Sequence, residues 1–292
     1  MKNLFTLLLF PLLILSGSKS KAQISRPDHV VVVILENHAY GQIIGSGAAP
    51  FINSLLKDKH CALFKNYYAI THPSQPNYLA VFAGSTFGIT DDDLPKDLPF
   101  NTPNLGAELL SHGYTFAGYS EDLPSTGFSG TYSGNYARKH NPWVNWQNSK
   151  TNGIPDSLNI SFKKFPEDFF KLPVLSFVIP NVKNDMYDGK DPDRIKAGDN
   201  WLKKNLLKFI EWAKRHNSLL IVTFDEDNDL RKNHIPTFFI GQMVKEGAYS
   251  MKINHYNLLR TLEEMYGLSF AGKSSKAAPI SNCWLKVTKS KN

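Results

Sequence analysis

Residues 30–35 are four valines, an isoleucine and a leucine, with no polar position among them. An apolar run without alternation predicts a strand buried on both faces, as in the middle of a parallel sheet. It leads directly into Glu36 and Asn37. The pattern returns at 219–224, which ends in Asp225, Glu226 and Asp227. Residues 114–119 and 173–179 read as further strands, the first followed by Ser120, Glu121 and Asp122, the second by Pro180, Asn181, Asp185 and Asp188. An aromatic-rich segment at 62–70 and the run 235–240, preceded by His234, complete the predicted strands.

Helical spacing falls between these runs. Residues 49–57 carry Pro50 near a helix start, and 77–83 continue from Pro76 to a stop at Gly84. Residues 102–110 open with Thr102 as cap and Pro103 in the first turn. The clearest amphipathic helix is 198–215, with Asp199 as cap and Trp201, Leu202, Leu206, Phe209 and Ile210 on one stripe. A last helix at 256–266 stops at Gly267. From about 123 to 165 the periodicity fades into Gly, Ser, Asn, Tyr and Trp, which predicts a loop-rich insertion over one face of the sheet. Strand and helix alternate with no linker-like break, so the expectation is an α/β fold: a single doubly wound domain, residues 23–292, whose mostly parallel central sheet is flanked by helices.

Charge adds little. The formal net charge is +7, but three of the 33 basic residues lie in the first 22, leaving 30 against 26 acids. No dense Arg/Lys run with interleaved aromatics predicts nucleic acid as a partner. Those first 22 residues instead read as a signal peptide. Lys2 supplies the positive start, 4–15 are almost wholly apolar, and Ser20, Lys21 and Ala22 precede a cut near Gln23. The apolar run is shorter than the roughly 20 residues of a membrane span, so no stable membrane insertion is expected, and the mature chain is predicted to be periplasmic or secreted. Two cysteines, Cys61 and Cys283, allow either one bridge in an oxidising compartment or two buried thiols.

In open α/β sheets ligands bind beyond the carboxyl ends of the strands. If the strands at 30–35 and 219–224 are neighbours, Glu36, Asn37, Asp225 and Glu226 form one oxygen-rich site, suited to a single divalent cation. Calcium, magnesium or manganese is favoured, and His234 leaves zinc open. Ser74, in the segment His72-Pro73-Ser74-Gln75-Pro76-Asn77, sits at a strand-to-helix junction suited to phosphate. No Gly-x-Ser-x-Gly elbow surrounds it, so cation coordination is the available way to activate its hydroxyl. The acidic run at 91–93 lacks EF-hand spacing and is read as a solvated turn. Within the insertion, Tyr132, Tyr136, Arg138, His140, Trp143 and Trp146 are candidates to line a pocket, with Arg138 able to hold a phosphate bidentately.

Five segments in order, over nearly all of the mature chain, resemble the bacterial acid phosphatase and phospholipase C type phosphoesterases. They are the strand ending in Glu36-Asn37, the segment 72–78, Pro180-Asn181 with Asp185, the run 223–227, and the helix from Tyr256 to Glu264. The resemblance implies the alkaline phosphatase superfamily fold and an exported, metal-dependent phosphoesterase. It places the metal on Glu36, Asn37, Asp225, Glu226 and Ser74, with Ser74 also the nucleophile. Where relatives often carry histidine, this chain has Tyr187, within Asp185-Met186-Tyr187-Asp188. The expected reaction is hydrolysis of a small phosphomonoester through a phosphoserine. Asn77, His72, Tyr187 and Arg138 are the candidate substrate contacts; Asp185 and His234 are candidates for positioning the leaving group or water. Phospholipase C-like diester cleavage and a non-catalytic exported binding protein are the alternatives.

Overall fold

The computed structural model describes residue 24 and residues 26–229 and 232–285; the expected signal peptide lies outside the described residues. In chain order the elements are β1 (His29–Leu35), α1 (Tyr40–Ile43), α2 (Pro50–Leu55), β2 (Cys61–Phe64), β3 (Tyr67–Tyr68), α3 (Ser74–Ala83), α4 (Leu105–Ser111) and β4 (Phe116–Ser120). The insertion holds β5 (Tyr132–Ser133), β6 (Tyr136–Ala137) and β7 (Asn159–Ser161) among short 3-10 turns. Then come β8 (Leu175–Ile179), α5 (Asp193–Ala213), β9 (Ser218–Phe224), β10 (Thr237–Ile240), β11 (Gly247–Tyr249), β12 (Ile253–Asn254) and α6 (His255–Tyr266).

Eight strands form the main sheet in the order β11-β2-β10-β9-β1-β8-β4-β7. All run the same way except β10, which is antiparallel to both β9 and β2. Among the described residues between β9 and β10 there is no helix, and without a crossover the returning strand has to reverse. β1 lies at the centre, parallel to β8 and β9. From Val30 to Leu35 its side chains are buried, as is every residue of β9. Burying each such side chain stabilises the fold by about 1.5–3 kcal/mol. The helices pack in two groups, α3 with α4 and α6, and α2 with α5. The strand expected at 62–70 is split into β2 and β3, while strand order and β12 had no signature in the sequence.

Several boundaries differ from the sequence reading. α4 is capped by Asn104, whose Oδ1 accepts from the Ala107 amide at 2.9 Å, and not by Thr102. Thr102 is held by its carbonyl, which accepts from Trp146 Nε1 at 2.8 Å. α5 begins six residues before Asp199, and Asp199 caps a different helix. Its carboxylate accepts from the Phe51 and Ile52 amides of α2 at 2.9 and 2.7 Å. α3 starts at Ser74 itself, so the serine is part of the helix. Cys61 and Cys283 are free and buried, and burial pushes both thiols up, that of Cys61 to about 12.

Most of the insertion's aromatics are core. Tyr136, Trp143 and Trp146 are fully buried, while Tyr132 is exposed. Trp143 donates to Asn159 Oδ1 at 2.9 Å and lies flat on Gly118 of β4, where an added Cβ would meet its ring at 2.0 Å. A rigid indole between strands cannot move aside. Gly118→Ala is therefore expected to cost about 1–3 kcal/mol, lowering the thermal midpoint by several degrees in a melting experiment.

Glu263 in α6 is buried and accepts from the Ala271 amide at 2.7 Å and the Ser274 hydroxyl at 2.6 Å. Burial outweighs those donors and pushes its carboxyl up to about 7. A carboxyl raised on folding contributes stability at low pH that is lost as pH climbs through its folded value. Between pH 4.5 and 7.5 the chain should lose about 3 kcal/mol from this group, and urea titrations of Glu263→Gln should lack that loss.

Candidate active site

The sheet brings the two acidic strand ends together. β1 and β9 pair in parallel through Leu35 opposite Phe224, so Glu36 and Asp225 emerge side by side. The Asp225 amide donates to the Leu35 carbonyl at 2.9 Å, and the Asn37 amide donates to Asp225 Oδ1 at 3.0 Å. Asn37 sits at φ 53°, a left-handed conformation that asparagine tolerates better than most residues. The Glu36 amide donates to the Asp185 carbonyl at 2.8 Å, which ties in the segment after β8.

α3 then delivers Ser74 to both carboxylates. Its Oγ donates to Glu36 Oε2 at 3.0 Å and lies 3.2 Å from Glu226 Oε1. Asn77, one turn on, donates to Glu226 Oε2 at 3.2 Å, while its own Oδ1 accepts from the Ile70 and Thr71 amides at 3.0 and 3.1 Å. Asn77 thus shapes the loop that presents Ser74. Tyr78 donates a short hydrogen bond to Glu36 Oε1 and stacks on His140 with ring centroids 5.3 Å apart.

His140 is the insertion's contribution. Asp185 Oδ2 accepts from its Nδ1 at 3.1 Å, and its Nε2 lies 3.3 Å from Glu36 Oε1 without hydrogen-bond alignment. With Nδ1 donating to Asp185, the Nε2 lone pair is left for another partner, the usual arrangement of a metal-binding imidazole. Glu36, His140 and Asp185 form a buried group whose ligand atoms lie within 4.8 Å of one another.

Electrostatics explains what such a cluster asks for. Glu36, Asp185, Asp225 and Glu226 are all buried. Burial, then the neighbouring charges of Asp225 and Asp185, holds Glu36 far above the usual carboxylate range. Burial also raises Asp185 and Asp225, and together with the Asp225 charge it pushes Glu226 up to about 10. Asp225 Oδ2 is buried with no hydrogen-bond partner among the described residues. An orphaned carboxylate oxygen, an open imidazole nitrogen and surplus negative charge in a low dielectric fit a divalent cation. Glu36, Asp225, Glu226, Ser74 and His140 are the side chains that would hold it. Asn37 touches Glu36 Oε2 through Nδ2 at 3.3 Å.

Other expected site residues fall at different distances from this cluster. His72 bonds through Nε2 to Asp227 at 3.0 Å and Asp229 at 3.2 Å, two residues before Ser74. Tyr187 is at the exposed lip; its amide donates to Asp185 Oδ1 at 2.8 Å and its ring packs 5.5 Å from His140. Asp185 is thereby committed to orienting His140 and the Tyr187 backbone. His234 is occupied elsewhere. Its Nε2 donates to the Lys65 carbonyl at 2.7 Å and its ring stacks with Tyr40 and Tyr68, centroids 4.7 and 5.1 Å away, and these contacts hold it. Arg138 is buried with Nε unpartnered, and among the described residues no hydrogen bond or ion pair joins it to the cluster.

The three-acid loop is not a freely solvated turn. Asp91 and Asp93 face solvent, but Asp92 Oδ1 accepts from the Gln75 amide at 2.9 Å, and the Gln75 side chain donates to the carbonyls of Asp91 and Asp93 at 3.3 and 2.7 Å. The loop therefore straps the residue after Ser74. Lys139 closes the strap with Nζ 2.6 Å from Asp92 Oδ2. The sequence reading passed over Lys139, gave Tyr78 no role and took Asp92 as part of a solvated turn; the adjacency of Lys139 to His140 could have marked the first of them. A cavity of about 640 Å³ lies within residues 87–102, and none of the clustered carboxylates lines it.

A hydroxyl held between buried carboxylates at the carboxyl ends of a mainly parallel sheet suits transfer of a charged acyl-like or phosphoryl group. A family model described as the Phosphoesterase family matches residues 46–269, and the chain belongs to this family, whose members hydrolyse phosphoester bonds. It is 48% identical over 258 residues to a phosphatidylinositol-3-phosphatase of Mycobacterium tuberculosis, covering 88% of this chain and 82% of that one. A probable acid phosphatase of Kluyveromyces lactis is 30% identical over 264 residues, covering 85% of this chain and 60% of that one. Among solved structures, a protein in the alkaline phosphatase superfamily from Vibrio parahaemolyticus shares the fold with a TM-score of 0.57 and 16% identity, over 86% of this chain and 69% of that one. The lipoteichoic acid synthase LtaP of Listeria monocytogenes gives a TM-score of 0.58 at 12% identity, over 92% and 78%. The alkaline-phosphatase-like α/β fold expected from the sequence is therefore the one observed, and the chain is a phosphoester hydrolase.

A cation that relieves this repulsion should stabilise the fold. Added calcium, magnesium or manganese at about 100 times its dissociation constant is expected to contribute roughly 2.7 kcal/mol, raising the melting temperature of EDTA-treated protein by about 5 °C or more. Glu36→Gln should abolish most of that rise.

Proposed function

We propose that the chain is an exported phosphomonoesterase that depends on a divalent cation and works through a phosphoserine at Ser74. The observation that carries this reading is the Ser74 hydroxyl bridging Glu36 and Glu226 inside a buried, negatively charged cluster. A divalent cation bound there supplies Lewis-acid polarisation of the phosphoryl group and makes the serine hydroxyl easier to ionise. Glu226, whose Oε1 lies 3.2 Å from the Ser74 hydroxyl, takes its proton as the oxygen attacks phosphorus and the ester P–O bond breaks. His72, steadied by Asp227, stands two residues from Ser74 and hands a proton to the departing alcohol oxygen. Asn77 holds Glu226 and the loop before Ser74, so the nucleophile keeps its aim. Water then cleaves the phosphoserine and releases inorganic phosphate.

Phosphatase names among the relatives at 48% and 30% identity support a monoester over a diester substrate. The apolar start of the sequence, with small residues before Gln23, supports export to the periplasm or beyond. Among the described residues no helix is long and apolar enough to cross a membrane. Ser74→Ala should retain its fold by circular dichroism and lose about 10³-fold or more in kcat/KM on p-nitrophenyl phosphate, equivalent to about 4 kcal/mol of transition-state stabilisation. A parental rate in the folded variant removes Ser74 from the reaction.

A further inference from the structure

Lys139 is a nearly buried ammonium whose side chain is 6% exposed. Two partners account for it among the described residues: Asp92 Oδ2 at 2.6 Å and the Tyr187 hydroxyl at 3.2 Å, with the Tyr187 ring 4.4 Å away. An ammonium has three donors, so one N–H remains. Its position is fixed relative to the nucleophile by short links. Asp92 bridges it to the Gln75 amide, the residue after Ser74, and Tyr187 packs on His140, whose Nε2 is 3.3 Å from Glu36. Tyr187 is the exposed member of this chain of contacts, while Ser74, Glu36 and His140 are buried. Lys139 and Tyr187 thus join an exposed residue to the elements that hold the serine, and Lys139 is the cationic side chain among these contacts.

Resting on the phosphoesterase reading of Ser74, we infer that Lys139, aided by the Tyr187 hydroxyl, binds the non-bridging oxygens of the phosphoryl group and sets a preference for phosphomonoester dianions over diester monoanions. A monoester carries three non-bridging oxygens and close to two negative charges at neutral pH, since its second ionisation lies near pH 6. A diester offers two such oxygens and one charge. A fixed ammonium in a water-poor site favours the doubly charged ligand, and charge-assisted N–H···O bonds are the strong ones. Asp92 holds the ammonium in place, so binding requires no search for the side chain's geometry. A simpler role is available: Lys139 neutralises Asp92 and so keeps the strap on Gln75.

The two roles separate on phosphate. With cation-loaded protein, kcat/KM for p-nitrophenyl phosphate and bis(p-nitrophenyl) phosphate and the inhibition constant of inorganic phosphate are measured for the parent, Lys139→Met, Tyr187→Phe and the double variant Asp92→Asn/Lys139→Met. Lys139→Met should lower the monoester value and weaken phosphate inhibition by about 10–100-fold each, the range of one charge-assisted contact, with the diester changed by less than about 3-fold. Tyr187→Phe should move the same two quantities by a smaller factor, and the double variant should not recover. Equal losses on both esters, unchanged phosphate inhibition, or recovery in the double variant would overturn the inference in favour of the strap. If Lys139→Met does not fold, the Tyr187→Phe ratio decides by the same criterion. A parent that hydrolyses neither ester yet binds phosphate more tightly than Lys139→Met, read by calorimetry, would overturn the catalytic reading and keep this one.

Discussion

Four carboxylates buried within one small volume are the constraint on which the site depends. Glu36, Asp185, Asp225 and Glu226 are each withdrawn from water and each raised in pKa by that withdrawal. Such a group can persist only by holding protons, by pairing with donors, or by gathering around a cation. The structure uses the second device extensively. Tyr78 and Ser74 donate to Glu36, the Asn37 amide to Asp225, Asn77 to Glu226, and His140 and the Tyr187 amide to Asp185. The donors do not suffice, since one Asp225 oxygen stays unmatched among the described residues.

Everything around the cluster serves to hold it. The two strands that end in it are the central pair of the sheet, wrapped in aliphatic side chains. Two buried histidines fasten the backbone behind it: His38 Nδ1 to the Glu36 carbonyl at 2.7 Å, and His255 Nε2 to the Asp225 carbonyl at 2.8 Å. His255 also accepts from the Tyr67 hydroxyl at 3.1 Å, and burial brings its pKa down to about 4, so it donates from Nε2 as a neutral ring. Strand ends are therefore fixed on both the side-chain and main-chain sides, which is what preorganised catalysis requires.

The insertion completes the site from outside the alternating strand-and-helix frame. Trp143 packs against Gly118 of β4 and Trp146 donates to the Thr102 carbonyl, which anchors the segment whose adjacent Lys139 and His140 reach Asp92 and Glu36. Removing either ring would loosen a segment whose functional side chains come from only two positions. The packing that looked like a candidate substrate wall is instead the footing for those two residues.

Much of this was legible along the chain. Period and composition marked β1, β9, the strands before Asp122 and Asp185, and the amphipathic α5 and α6, because burial on a strand or helix face leaves a local pattern. The oxygen-rich strand ends and Ser74 were legible for the same reason: each follows directly from a strong element. What the sequence could not decide were the pairings across distance. His140 sits beside Glu36, Asp92 beside Gln75, and Asp199 under α2 rather than at the start of its own helix, while His234 is taken by Lys65 and two tyrosines. A polar side chain's partner is set by where the fold places it, and no local periodicity records that. Sequence alone determined which segments would be buried and which ends would carry charge; tertiary structure decided which charges meet.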